Sequence, residues 1–430
     1  MKTKAPKILK CRVCGNRNLL PCVDIGEQYL SSIFPDRLDY RKSLTPYPMD
    51  MVLCEKKSEK TCGLVQLGHE LDLSGMYAHY PYTSSSNSSM KAILQDVMKS
   101  GVDLNHLRMG DVILDIGCND GTLLSFFKDS PYQLVGIDAA QNIKRVFASS
   151  NFKFSQGFFN RKAFDHLSPQ KAKLIFSIAM FYHLSDPISF SKDVAACLQE
   201  DGVWIIQMAY LPAMLKTNMY DNIVHEHAGY YGIETLQWVM GQVGLEIFDV
   251  LLNDVYGGSF RAFVKKKNSN AFQTTPRFNQ LLEAERCEHL FDVKTYQDFD
   301  RRIQKTRQDL IQLLKKIKSE GKKVWVYGAS TKGNTILQYC GIGRDLLEAA
   351  ADANPFKFGK YIIGGDIPIK NEDEMRAAKP DYLLALPYSF APAFVKKEEA
   401  LMRQGIQFIV PLPDVHLLPS IHARIECQLP

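Results

Sequence analysis

Asp111-Val112-Ile113-Leu114-Asp115-Ile116-Gly117-Cys118-Asn119-Asp120-Gly121 is an apolar run that ends in an acid and a glycine-rich turn, and an amphipathic TLLSFFK follows it. Such a run predicts a buried strand, and its turn into a helical pattern predicts the first step of an α/β sheet. Residues 134–138 (LVGID) form the next apolar run and end on Asp138. An acid roughly twenty residues after the turn can accept both ribose hydroxyls of a nucleoside cofactor, while the glycines let a ligand approach the backbone. The spacing is D-x-G-x-x-x-G, so the G-x-G-x-x-G grip on a dinucleotide pyrophosphate is not met. Apolar runs at 173–177, 203–208 and 245–251 alternate with helical patterns, which argues for a parallel sheet covered on both faces.

Outward from this stretch the chain divides into blocks. At roughly 100 to 200 residues per domain, 430 residues predict about three domains. Residues 1–71 carry Cys11-x2-Cys14 and Cys54-x7-Cys62. Two cysteine knuckles predict a tetrahedral all-thiolate Zn²⁺ site, structural because four thiolates leave no open position. The rival reading is four unrelated cysteines, and Cys22 is a spare ligand. Residues 72–268 are the first α/β block. Residues 269–320 read as a helical connector packing on one domain, because Leu310, Leu313, Leu314 and Ile317 keep helical spacing. Residues 321–430 read as a second α/β unit, opening on Lys323-Val324-Trp325-Val326-Tyr327.

Composition narrows the class. Hydrophobic residues at 46% and charged residues at 23% describe an ordinary globular chain. A net charge of +5 fits anionic ligands without indicating nucleic acid, and the lysines at 315, 316, 318, 322 and 323 read as a solvated helix face. The chain lacks both an apolar run of about 18 residues and an apolar N-terminal leader, so the expectation is a cytoplasmic protein with no membrane partner. In that compartment the ten cysteines are not a disulfide framework. A monomer or small homo-oligomer is expected.

The segment Met219-Tyr220-Asp221-Asn222-Ile223-Val224-His225-Glu226-His227-Ala228-Gly229-Tyr230-Tyr231 concentrates titratable groups. It lacks H-E-x-x-H spacing, and His225 and His227 share a face only if the segment is extended, so a zinc-protease site is excluded. A base fits better: imidazole removes a proton at neutral pH, and Glu226 can fix its tautomer or hold a substrate hydroxyl. Phe158 and Phe159 follow a third strand-like stretch and are placed to flank adenine, with core packing an equal account of one of them. Gly328-x4-Gly333-Asn334-Thr335 is similar to a phosphate loop with Asn334 where the essential lysine would stand. NTP hydrolysis is not expected. Ser330, Lys332, Gly333 and Asn334 could still hold a pyrophosphate at the helix start, or the turn could serve only as a domain interface.

The D-x-G turn resembles the first motif of class I S-adenosylmethionine-dependent methyltransferases, in which it faces the methionine part of the cofactor. The order of motifs resembles more: the cysteine knuckles, Tyr80-Pro81-Tyr82-Thr83-Ser84-Ser85, the D-x-G turn, the HEH segment, Gly257-Gly258-Ser259-Phe260-Arg261, and Gly328 to Thr335 together look like three-domain sugar C-methyltransferases acting on nucleotide-linked deoxy-keto-sugars. The resemblance implies a zinc-binding domain, a class I methyltransferase domain and a C-terminal Rossmann-like domain. It implies S-adenosylmethionine held by Asp115, Gly117, Cys118, Asn119, Gly121 and Asp138. His227 would be the base, with His225 its neighbour; Glu226 would bind sugar hydroxyls. Tyr80 or Tyr82 would contact the sugar near the developing charge, and His183 would be a further active-site histidine. Gly258, Ser259 and Arg261 would face the substrate, a nucleoside-diphosphate sugar. Val224 stands where the family often has tyrosine, and the second knuckle is longer than its commonest form. Other classes open to the sequence are an O- or N-methyltransferase of a small metabolite and a non-catalytic zinc-containing scaffold.

Overall fold

The computed structural model describes residues 5–78, 82–86, 88–144 and 151–418. The run that opens the first α/β block is the strand Val112–Ile116, buried at every position, as a strand covered on both faces must be. It pairs in parallel with Gln133–Asp138 on one side and Ala172–Ile178 on the other. The seven-stranded sheet runs Leu245–Asn253, Ser259–Lys266, Leu198–Ala209, Ala172–Ile178, Val112–Ile116, Gln133–Asp138, Phe152–Gln156. Its first two strands form an antiparallel hairpin, and Ser259–Lys266 is also antiparallel to Leu198–Ala209. Both α/β blocks read from the sequence are present. The second is a seven-stranded sheet with Val324–Tyr327 at its centre, between Ala350–Ala351 and Tyr382–Ala385, in parallel.

The N-terminal block is a four-stranded antiparallel sheet. Leu19–Gln28 pairs with Tyr47–Cys54, which pairs with Val65–Leu67. Its fourth strand, Gly229–Tyr230, is lent by the HEH segment.

The connector differs from expectation. The helix Val293–Ser319 buries Tyr296, Phe299, Ile303, Leu310, Leu314 and Ile317 along one face, as the heptad-like spacing requires. That face does not pack on one domain. It joins Val23, Ile25 and Met51 of the N-terminal sheet to Val324, Ile336 and Leu337 of the C-terminal unit in one core. Two terminal blocks are therefore fused; the central domain joins that core through Leu211, Met214, Tyr220 and Tyr230, and Cys11, Cys54 and Cys62 pack into its own core, with a cleft beside these contacts. The lysines at 315, 316 and 318 on the opposite face of the helix are exposed, as read from the sequence.

Candidate active site

A cleft of about 1130 Å³ runs between the central sheet and the fused terminal blocks. Gly117 and Cys118 of the glycine turn line it, together with Asp115, Asn119 and Asp138 at the strand ends. Gly117 has φ +76°, a left-handed backbone that a side chain disfavours, and an added Cβ would meet only Met180 at 3.4 Å. Gly121 also has positive φ but does not line the cleft; it stands before the short helix Thr122–Ser125.

The two strand-end carboxylates differ in their partners. Asp138 accepts the Asn119 N–H at 2.7 Å on one oxygen and the Ala140 N–H at 2.7 Å on the other. Each oxygen keeps a lone pair for a ribose hydroxyl. Asp115 is buried with no cation paired to it among the described residues. Burial, then Asp138 and Asp120, pushes its carboxyl up to about 8. A cationic ligand suits that position, and S-adenosylmethionine carries both a sulfonium and an ammonium. Phe158 is 60% exposed at the mouth, free to stack on a base. Phe159 lines the same wall but packs edge-on against Phe190, with ring centroids 5.3 Å apart.

Asn119 and Asp120 do something the sequence did not reveal. Asn119 Nδ2 donates to the Tyr82 carbonyl at 3.0 Å, and its Oδ1 accepts the Ser84 N–H at 2.9 Å. Asp120 Oδ2 accepts the Ser85 N–H at 2.8 Å. The pair clamps the tyrosine-bearing segment onto the cofactor turn, which brings Tyr82 to the cleft wall. Tyr80 lies outside the described residues.

The two HEH histidines diverge. His227 N–H donates to the Val224 carbonyl in a turn, so the segment is not extended and the rings do not share a face. His225 is buried against the N-terminal sheet, its Nε2–H donating to the Tyr47 carbonyl at 3.4 Å, and it does not line the cleft. His227 does line it. Its Nδ1 lies 2.8 Å from the Asn222 carbonyl oxygen. A carbonyl only accepts, so Nδ1 carries the proton and Nε2 the lone pair. His183 stacks on it at 5.4 Å between ring centroids, with an interplanar angle of 24°. Burial pushes His183 down to about 3 and His225 to about 4. His227 sits well below 6.5 through burial, His183 and Lys332. Glu226 faces the cleft with Ser32 bonded to it, and burial raises its carboxyl.

From the C-terminal unit, Ser330 and Lys332 reach the cleft; Gly333 and Asn334 do not. Ser330 Oγ caps the helix Thr331–Cys340 by accepting the Gly333 N–H at 3.0 Å, so that donor is already used. A Cβ on Gly333 would lie 2.5 Å from Leu386, so the glycine serves close packing. Asn334 Nδ2 donates to the Ser31 carbonyl at 2.6 Å and ties the two terminal blocks together. The GGS-x-R segment is also structural in its contacts. A Cβ on Gly258 would meet Ala213 at 2.5 Å, Ser259 Oγ donates to the Val255 carbonyl, and Arg261 is 3% exposed and bonded to Gln207 and Asp96. Strand pairing turns these side chains away from the cleft. Tyr256, just before them, does line it, with Lys332 Nζ 5.5 Å from its ring centroid. Tyr77 likewise belongs to the wall, its ring 5.8 Å from His183 and 6.2 Å from Phe158. No spacing in the sequence marks Tyr77 or Tyr256.

Where the N-terminal sheet packs against the central domain's core, the sulfurs of Cys11, Cys14, Cys54 and Cys62 lie within 4.8 Å of one another, with Cys11–Cys62 and Cys14–Cys54 each at 3.4 Å. Zn–S bonds of about 2.3 Å at tetrahedral angles put sulfurs about 3.8 Å apart, so the donor set fits Zn²⁺. The Asn16 side-chain N–H points at Cys54 Sγ from 3.5 Å, a contact that favours thiolate. Cys22 lies in the other core and is no ligand.

Comparison with known proteins follows this division. Residues 11–77 match a zinc binding domain, residues 90–250 a methyltransferase domain, and residues 254–413 the C-methyltransferase C-terminal domain. C-methyltransferase NovU of Streptomyces niveus is 28% identical over 413 residues, 96% of this chain and 97% of its own.

The chain is an S-adenosylmethionine-dependent methyltransferase that carries a C-methyltransferase C-terminal domain.

This methyltransferase also shares 33% identity over 103 residues with the tRNA U34 carboxymethyltransferase of Sulfurimonas denitrificans, 23% of this chain and 35% of that one. Among solved structures, a Haloferax volcanii methyltransferase with its Trm112 activator gives a TM-score of 0.36 at 14% identity, covering 45% of this chain and 98% of that one. The plantazolicin methyltransferase BamL with bound SAH gives 0.34 at 14% identity, covering 42% and 86%. The central sheet of this methyltransferase is the class I methyltransferase fold, flanked by a zinc-binding domain and a Rossmann-like C-terminal domain. No helix among the described residues is long and apolar enough to cross a membrane.

Proposed function

We propose that the protein methylates a carbon of a nucleotide-linked deoxy-keto-sugar, with S-adenosylmethionine as donor. The observation that carries this reading is His227: a buried neutral imidazole whose Nδ1–H is fixed on Asn222, leaving Nε2 as a base in the same cleft as the glycine turn. Carbon becomes a nucleophile only when a proton is lost next to a carbonyl, so a base beside a methyl donor is the required pairing. Burial and Lys332 hold His227 neutral at physiological pH. The cation it becomes on taking the proton faces the enolate formed in the same step. Tyr82 or His183 donates to the enolate oxygen. Glu226 holds sugar hydroxyls. S-adenosylmethionine, held by Asp115, Asp138 and the Gly117 turn, supplies the electrophilic methyl group.

Lys332, a half-buried cation at the cleft wall with Asp221 as its nearest acid, supports a diphosphate at the C-terminal side of the cleft, with Ser330 beside it. Lys357 and Lys360 line the same end. The test is His227→Ala. Base catalysis contributes about 10²- to 10⁴-fold, so turnover should fall by that much while S-adenosylhomocysteine binds normally by calorimetry. Near-normal turnover in this variant removes the proposed base.

A further inference from the structure

Asn222 is 1% exposed, and neither Oδ1 nor Nδ2 of its side chain has a hydrogen-bond partner among the described residues. Buried amides are rarely left so, and each exception calls for a missing partner. Its position says where that partner lies. The residue ends the turn Tyr220–Asn222, and its backbone carbonyl is the group that takes His227 Nδ1–H at 2.8 Å. Its side chain therefore starts one residue's width from the base. It lines the main cleft beside His227, Asp221 and Glu226.

We propose that the Asn222 amide is a catalytic group that donates from Nδ2 to the substrate's carbonyl oxygen, next to the carbon that His227 deprotonates. The proposal rests on the base-assisted reading above and adds a donor to it. Losing a proton from carbon moves negative charge onto the neighbouring oxygen, so the donor must stand close to the base and must not itself ionise. An amide meets both conditions, and it is preorganised because the same residue's carbonyl is fixed to the imidazole. The backbone contact survives any side-chain change, so the donor can be removed without releasing His227.

A competing occupant exists. A void of about 10 Å³, also lined by Asn222 and His227, is bordered by Tyr231, whose hydroxyl is likewise unpartnered among the described residues. One buried water bridging Asn222 and Tyr231 would fill it, and the amide would then be structural.

The experiment compares wild type with Asn222→Leu and Asn222→Ala, using a panel of nucleoside-diphosphate deoxy-keto-sugars. Read-outs are kcat, KM, exchange of the substrate's α-hydrogen with D₂O, S-adenosylhomocysteine binding and melting temperature. The proposal expects kcat and exchange to fall together by about 100- to 1,000-fold, with cofactor binding and melting temperature held. A lowered melting temperature with turnover and exchange kept assigns the amide to the water and overturns the proposal. So does a rise in KM at unchanged kcat, because a group that stabilises developing charge must act on kcat. Absence of exchange in the wild type with every sugar overturns the base-assisted reading itself, and this role for Asn222 with it.

Discussion

His225 and His227 are indistinguishable as a dipeptide repeat, and the structure separates them in a way that pH exposes. His225 is 5% exposed, packed edge-on to Tyr47 with ring centroids 6.0 Å apart, and burial pushes it down from 6.5 to about 4. In the unfolded chain the same ring takes a proton below 6.5. Its contribution to stability is therefore intact above that pH and lost as pH falls from 6.5 towards 4. At about 1.36 kcal/mol per pH unit the full loss is about 3.4 kcal/mol, of which about 2 kcal/mol has gone by pH 5. His225→Gln keeps an N–H able to reach the Tyr47 carbonyl and abolishes the titration. Equilibrium urea unfolding of both proteins at pH 7 and pH 5 gives two stability differences, and any offset from altered packing is common to them. The variant should gain about 2 kcal/mol on wild type between pH 7 and pH 5, while its turnover at pH 7 stays within a few-fold. A difference that does not change with pH would refute burial as the cause. A loss of turnover as deep as that of His227→Ala would show that the roles of the two rings are reversed.

Other consequences are open to simpler measurement. Asp115, pushed up to about 8, is mostly protonated at neutral pH, and a cationic ligand favours its ionised form. Binding of S-adenosylmethionine should release a proton, with affinity rising up to about tenfold per pH unit from pH 6.5 to 8; Asp115→Asn should flatten that slope in calorimetry. Lys332→Ala should weaken nucleoside-diphosphate binding by about tenfold or more and leave S-adenosylhomocysteine affinity unchanged, and equal affinities in the two proteins would remove the phosphate contact. Cys54→Ser should bind less than one zinc per chain by atomic absorption and lower the melting temperature.

Much of this arrangement is written in local pattern. A strand buried on both faces has to be continuously apolar, so Val112–Ile116 and Val324–Tyr327 announce themselves. Asp138 is identified by its distance from the turn, and the cysteine pairs by their own spacing. What local pattern does not carry is direction. Period-two alternation would place His225 and His227 together, but the turn closed by the His227 N–H on Val224 rotates them apart. Arg261 looks like a substrate cation until the strand Ser259–Lys266 orients it towards Asp96. Asn119 reads as a cofactor residue because it sits in the turn, and nothing local shows that its side chain, with that of Asp120, also holds the backbone of residues 82–85. Tyr77 and Tyr256 become part of a site only through contacts between distant segments, and Asn222 only through the turn that sets it beside His227.

The zinc domain gains a function from the same contacts. Cys54 ends the strand Tyr47–Cys54, which pairs with Val65–Leu67, which pairs with Gly229–Tyr230, two residues beyond His227. Tyr47, at the other end of that strand, holds His225 two residues before it. The proposed base is thus carried on a short loop pinned on both sides to the N-terminal sheet, and its ring is aimed by Asn222, five residues earlier in the chain. The cofactor turn and Asp138 are carried on a different sheet, by Val112–Ile116 and Gln133–Asp138, whose core Cys11, Cys54 and Cys62 adjoin. Zinc loss should therefore divide the two halves of the cleft. A metal-free protein that still binds S-adenosylhomocysteine but no longer exchanges the substrate's α-hydrogen would fit a base placed by the knuckles. If exchange and cofactor binding failed together at the same chelator concentration, the sheet would be holding up the whole fold and not the imidazole in particular.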